Sequence, residues 1–158
     1  MTIVVPFDGS DLSEAALCRA AELDEALGET LLAVTVVPMG NVDYARERDW
    51  LGPTEPFDAR TIRSRLEGYV EDCSPDAEFR METVDRFAQS GTIANRLRRI
   101  ARDENASMVC LGSENAGRIV TAVSSVGSSV ASDDAYDLFI VRHGIETGNT
   151  VGGARNER

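Results

Sequence analysis

Apolar residues follow two alternating rhythms along this chain. Short runs of strand length occur at residues 2–7 (TIVVPF), 30–37 (TLLAVTVV), 77–84 (AEFRMETV), 107–111 (SMVCL) and 136–141 (YDLFIV). They are rich in β-branched and aromatic residues, as pleated strands are. The run at 30–37 lacks clean alternation, which suits the interior of a parallel sheet. The run at 77–84 alternates and reads as a strand near a sheet edge. Between the runs the apolar spacing becomes helical. Leu12, Ala15, Ala16, Ala20, Leu23 and Leu27 form one stripe, with Ser10 or Asp11 as its cap and Gly28 closing it. Residues 58–72 predict a second helix, with Ile62, Leu66, Tyr69 and Val70 inward. Residues 92–103 predict a third, with Ile93, Leu97, Ile100 and Ala101 inward, and residues 128–133 begin a fourth.

This order, strand and helix in strict alternation, predicts one α/β domain over residues 1–142, with a parallel sheet and helices on both faces. Ligands of such sheets bind beyond the carboxyl ends of the strands, where the strand order reverses. Residues 143–158 are polar and glycine-rich and are expected to fray as a tail. Residues 39–57 form a long loop with Gly40, Gly52, Pro53 and Pro56, a length that is often functional. Trp50, the lone tryptophan, is expected to pack that loop onto the domain; the other reading turns it toward a ligand.

Charge narrows the choice of partner. The net charge is −11 and all 16 basic residues are arginine. An acidic surface without lysine argues against nucleic acid or an anionic membrane as partner. It resembles the surface of a halophilic protein, whose self-repulsion is screened by salt. The missing lysine also removes Schiff-base chemistry and a P-loop lysine. Any phosphate must then be held by backbone N–H groups, hydroxyls, arginine or a metal. Cys18, Cys73 and Cys110 are odd in number and widely spaced, as expected of free thiols packed as small hydrophobes in a cytoplasmic protein. Met1-Thr2 leads straight into an apolar run, which leaves no expectation of a signal peptide, and no apolar stretch approaches membrane-spanning length.

Three polar or glycine-rich stretches follow strand ends or open a helix: Pro6-Phe7-Asp8-Gly9-Ser10-Asp11, Gly112–Gly117 (GSENAG) and Gly127-Ser128-Ser129. The first N–H groups of a helix lack partners and carry the positive end of its dipole. Gly-Ser-Ser at that position lets an anion come close and adds hydroxyl donors. Gly112 and Gly117 allow a loop to fold its N–H groups onto one spot. Asp8 is placed to accept hydrogen bonds from a ribose. Read by spacing alone, the same residues are equally a chain reversal and a helix cap.

The chain also resembles the universal stress proteins over nearly all of residues 2–142. The opening IVVPFDGSDLSEAAL carries that family's Val-Pro-x-Asp-x-Ser start. Gly117, nine residues, then Gly127-Ser128 match the second half of its nucleotide motif, Gly-x2-Gly-x9-Gly-(Ser/Thr). The first half departs from it: four residues, Ser113 to Ala116, separate Gly112 from Gly117 where the family has two, and Glu114 stands where strict spacing wants glycine. The resemblance implies a Rossmann-like, five-stranded parallel sheet of order 3-2-1-4-5. It implies a sensor or regulator in the stress response that binds ATP or AMP, with or without Mg²⁺. Pro6, Asp8 and Val36 would meet adenine and ribose. Gly112, Gly117, Gly127, Ser128 and Ser129 would cradle the phosphates. It also implies a homodimer paired through the last strand. One branch of the family lacks the motif, so the alternative is a dimeric interaction module without nucleotide.

Enzyme readings find less in the sequence. There is no Gly-x-Gly-x-x-Gly after the first strand for a dinucleotide, and no lysine for a phosphoacceptor receiver domain. His143, the one histidine, follows the last strand with no orienting partner to make a triad. No catalytic residue is assigned. Slow ATP hydrolysis would have only ordinary carboxylates such as Glu114 to draw on.

Overall fold

The computed structural model describes residues 1–113 and 136–144. The chain runs β1 (Thr2–Pro6), α1 (Asp11–Leu27), β2 (Thr30–Pro38), α2 (Val42–Glu47), α3 (Ala59–Cys73), β3 (Glu78–Val84), α4 (Ser90–Asp103), β4 (Ala106–Gly112) and β5 (Asp137–Val141). The strands form one sheet of order β3-β2-β1-β4-β5, every neighbouring pair parallel. Val5 lies beside Ala33, Leu32 beside Glu78, and Val109 beside both Val4 and Leu138. The order reverses between β1 and β4. The chain works outward through β2 and β3, then returns to the other side of β1.

Both ends of α1 form where the sequence signals place them, while α4 starts at Ser90, two residues before the expected start. The Ser10 hydroxyl accepts from the Ser13 N–H at the start of α1, and Gly28 takes the left-handed conformation that ends it. Asp58 caps α3 by accepting from the Arg60 N–H. Successive residues of a strand face opposite sides, and the core divides accordingly. Ile3, Val5, Phe7, Leu31, Ala33 and Val37 pack against Ala16, Leu17 and Ala20 of α1 and Ile62, Leu66 and Val70 of α3. Val4, Leu32, Val34, Val36 and Val109 pack on the other face with Ile100 and Ala101 of α4 and with Tyr136. Each fully buried Ile or Leu removes about 1.5–3 kcal/mol worth of apolar surface from water.

Several expectations change. The cysteines are not all free: Cys18 and Cys73 form a disulfide between α1 and α3, with Cα atoms 5.9 Å apart across 55 positions of sequence. Sequence spacing hid the pair, because the right-handed crossovers lay these two helices side by side on one face. The inference from free thiols to a reducing compartment therefore lapses. Cys110 does remain a free, buried thiol, and burial pushes its pKa up to about 12, so it packs as a small hydrophobe. The stretch 39–57 is not loop throughout, since it contains α2. Leu27 and Tyr69 are exposed rather than inward: Leu27 lies in the last turn of α1, beyond the sheet, and Tyr69 lies at the edge of the α3 stripe. The fourth helix expected at 128–133 lies outside the described residues. No helix among the described residues is long and apolar enough to cross a membrane.

Candidate functional site

β1 ends at Pro6, and the chain must turn from strand to helix within four residues. Each polar group of that turn is held from a different element. The Phe7 N–H donates to the Val34 carbonyl at 2.8 Å, which extends the ladder by one bond. The Thr35 hydroxyl of β2 donates to the Phe7 carbonyl at 2.6 Å. The Trp50 indole Nε1–H donates to the Asp8 carbonyl at 2.7 Å. The Asp8 N–H points to the Ser13 hydroxyl at 3.4 Å, and Asp8 Oδ1 accepts from the Ser10 N–H at 3.0 Å. Gly9 follows with φ +82°, a conformation that a side chain would strain. The Asp8 carboxylate is thereby fixed at the carboxyl edge of the sheet, next to the strand-order reversal.

A cavity of about 340 Å³ opens beside it, within the size range of small-molecule sites. Its floor is the ends of β1 and β2: Pro6, Phe7 and Asp8, then Val34, Thr35 and Val36. One wall is the first half of α4, with Ser90, Ile93, Ala94 and Leu97, preceded by Ala88. The other wall is α2 and its exit, with Tyr44, Arg48 and Trp50. The walls are mainly apolar. Asp8 is the one carboxylate and Arg48 the one guanidinium among the described residues that line it. The Arg48 guanidinium lies 3.4 Å from the Tyr44 ring centroid, a cation–π contact that holds both side chains at the mouth.

The α2 wall is built by local rules. Asn41 caps α2, accepting from the Tyr44 N–H at 3.0 Å. The helix ends in a Schellman pair: the Trp50 N–H donates to the Ala45 carbonyl and the Asp49 N–H to the Arg46 carbonyl. Asp49 takes the left-handed position with φ 60°, which aspartate tolerates better than most residues. That ending throws Trp50 back toward the sheet. Beyond it, the Arg65 guanidinium of α3 grips both Glu55 carboxylate oxygens at 2.7 and 2.8 Å and also donates to the Trp50 carbonyl at 2.9 Å. Glu55 accepts the Gly52 N–H as well. The Arg65 hydrogen bonds, then that of Gly52, hold the Glu55 carboxyl down at about 2.

Pro6, Asp8 and Val36, named from the sequence, come together in this one cavity. Gly112 ends β4 and is buried. There a Cβ would lie 2.8 Å from the Leu12 main-chain carbon and 2.9 Å from its oxygen. Close approach of α1 to β4 is thus a sufficient reason for glycine at 112. Gly117, Gly127, Ser128 and Ser129 lie outside the described residues. Trp50 packs the loop down, as expected, and is 1 % exposed; it also forms part of the cavity wall. Sequence reasoning missed Tyr44, Arg48, Thr35 and Ala94, and took Ile93 and Leu97 only as core.

The comparisons with known proteins agree with this architecture. The family model described as the universal stress protein family matches residues 1–142. The chain belongs to that family. Among solved structures, a universal stress protein in complex with cAMP is 22% identical, with TM-score 0.57 over 90% of this chain and 96% of that one. A member from Burkholderia pseudomallei is 20% identical, with TM-score 0.58 over the same shares of the two chains. The universal stress protein UspA from Lactobacillus plantarum is 20% identical, with TM-score 0.50 over 90% and 97%. At these identities the likeness is one of fold. No curated relative matches the sequence. The universal stress protein fold thus places the cavity at the carboxyl edge of the sheet, beside the reversal of strand order.

Proposed function

We propose that this chain binds an adenine nucleotide, ATP or AMP, and acts as a sensor or regulator in the stress response rather than as a fast catalyst. The observation that carries this is the cavity at the ends of β1 and β2, apolar on its walls and with the Asp8 carboxylate fixed at its floor. An apolar slot suits the faces of a base, and a fixed acceptor suits the donors of a ribose or a base edge. Pro6 and Val36 contribute to the same floor. The cAMP held by one solved member of the family supports a nucleotide as the ligand class. The phosphates would run toward the β4 end, to Gly112, Gly117, Gly127, Ser128 and Ser129. Among the described residues no group of three His, Cys, Asp or Glu converges on a metal position. Mg²⁺ would enter with ATP, held mainly by its phosphates.

The test is to denature the purified protein, identify any released small molecule by mass spectrometry, and titrate ATP and AMP with and without Mg²⁺ by calorimetry. Release of a nucleotide, or micromolar binding that falls in Gly127→Val, supports the proposal. No release and no heat at millimolar ATP overturns it. That result would favour the second reading, a dimeric module without nucleotide, to which the four residues between Gly112 and Gly117 point. In either reading we propose a homodimer through β5. It is an edge strand, and it exposes Leu138 and Phe139. Sedimentation of the wild type and of Leu138→Glu reads this directly.

A further inference from the structure

The indole of Trp50 spends its N–H on a main-chain carbonyl, and that carbonyl belongs to Asp8. Beyond the end of β1 the sheet ladder supplies no further donor, so a buried carbonyl there needs one from a side chain. Two successive carbonyls obtain one, Phe7 from Thr35 and Asp8 from Trp50. Packing alone would ask less of residue 50, since a purely hydrocarbon ring needs no hydrogen-bond partner. Its main chain is itself held on both sides, the N–H on the Ala45 carbonyl and the carbonyl on Arg65. Arg65 is in turn locked to Glu55. A continuous chain of contacts therefore runs from Arg65 of α3, braced by Glu55, through Trp50 to the peptide that bears the Asp8 carboxylate.

We infer that Trp50 is a positioning residue for Asp8, and that through it the 39–57 segment sets how tightly the cavity grips the hydrogen-bond donors of a nucleotide. The inference rests on the nucleotide reading above and adds to it the residue that aims the acceptor. Fixing the Asp8 carbonyl fixes the peptide between Asp8 and Gly9. The Ser10 N–H, two residues on, then meets Asp8 Oδ1 and leaves the remaining carboxylate lone pairs to the cavity. With the indole N–H removed, the peptide can rotate and the carboxylate loses its aim. The ligand then must order it on binding, which lowers affinity.

The experiment is a double-mutant cycle read by calorimetry with AMP. Trp50→Phe keeps an aromatic ring and loses the N–H; Asp8→Asn keeps an oxygen for Ser10 and loses the charge. Loss of one aimed hydrogen bond predicts that Trp50→Phe weakens AMP binding roughly five- to tenfold. In the Asp8→Asn background the same change is expected to cost less than about twofold, because its effect passes through Asp8. Glu55→Gln loosens the grip of Arg65 without touching the indole. It is expected to weaken AMP binding roughly two- to threefold in the wild type, with no further loss in Asp8→Asn; it serves as the second variant if Trp50→Phe fails to fold. Unchanged affinity in Trp50→Phe overturns the inference. So does an equal loss in both backgrounds, which would mean that the ring acts on the ligand by itself. If wild-type AMP binding is absent at millimolar concentration, the nucleotide reading fails and this inference falls with it. Wild-type binding with an additive cycle fails the inference alone.

Discussion

The two faces of the sheet are built from the same strands and filled differently. On the α1 and α3 face, large side chains such as Leu17, Ile62 and Leu66 leave no room, and Cys18–Cys73 ties the two helices together. Even a methyl group at Gly112 would meet main chain there. On the α4 face a cavity lies between the first half of the helix and the ends of β1 and β2. Ile93 and Leu97 pack against the core on this face and, with Ala94, also line the cavity. A ligand site needs a rigid floor and an open side. This molecule divides the two tasks between its faces: α1 and α3 hold the strand ends still, and α4 leaves the opening.

Substitutions can break that division, and the largest effect is expected at the disulfide. A cross-link closing a loop of 55 residues stabilises by about 4 kcal/mol in the chain-entropy treatment. Cys18→Ser with Cys73→Ser should lower the urea midpoint accordingly, and the wild type denatured without reductant should show one reactive thiol, rising to three on reduction. Three thiols from the start would dissolve the contrast between the faces. Next comes a pair of enlarging substitutions. Gly112→Ala is expected to cost about 1–3 kcal/mol, because Leu12 main chain stands in the way. Ala94→Leu, larger but aimed at the cavity, should cost less than about 1 kcal/mol while abolishing AMP binding. If the larger substitution proves the more destabilising, α4 is packed as tightly as α1.

Acid probes the comparison more gently. The Glu55 carboxyl titrates at about 2 when folded and near 4.3 unfolded. Its contribution to stability is fully present above the unfolded value and is lost as pH falls through the folded one. Glu55→Gln should therefore flatten the acid limb of the stability curve between about pH 4 and 2. Glu14 on α1 goes the other way. Burial first, then Asp11 and Asp72, raise its pKa. Its protonated form is the one the fold favours, so its contribution is present below the unfolded value and is lost as pH rises through the folded one. Glu14→Gln should give a small gain in melting temperature at pH 7 and none at low pH, the smallest effect of the set.

Much of the fold was legible because its signals are local. Runs such as TLLAVTVV read as buried strands in a chain of this pattern, and Ser10 and Gly28 mark the ends of α1 by chemistry that needs no partner from afar. What stayed hidden depends on distance or on small size. α2 has six residues and a single buried one, Ala45, so it carries no periodic signature; its cap at Asn41 and its Schellman ending appear only with coordinates. Cys18 and Cys73 meet because of crossover handedness, which residue spacing does not encode. Ile93 and Leu97 pack against the core as their helical stripe predicts, but a stripe does not show that they also line a cavity. Asp8 was found through its neighbours in sequence, whereas Trp50, 42 positions away, was recognisable only as a loop anchor.

The position of that indole has an optical consequence. With one tryptophan in the chain, all indole emission comes from a single wall of the cavity. A ring 1 % exposed should emit toward the blue and be shielded from iodide. Whatever enters the cavity must change the surroundings of that one fluorophore, so the protein carries an unlabelled reporter of its own occupancy, readable in a cuvette at micromolar concentration.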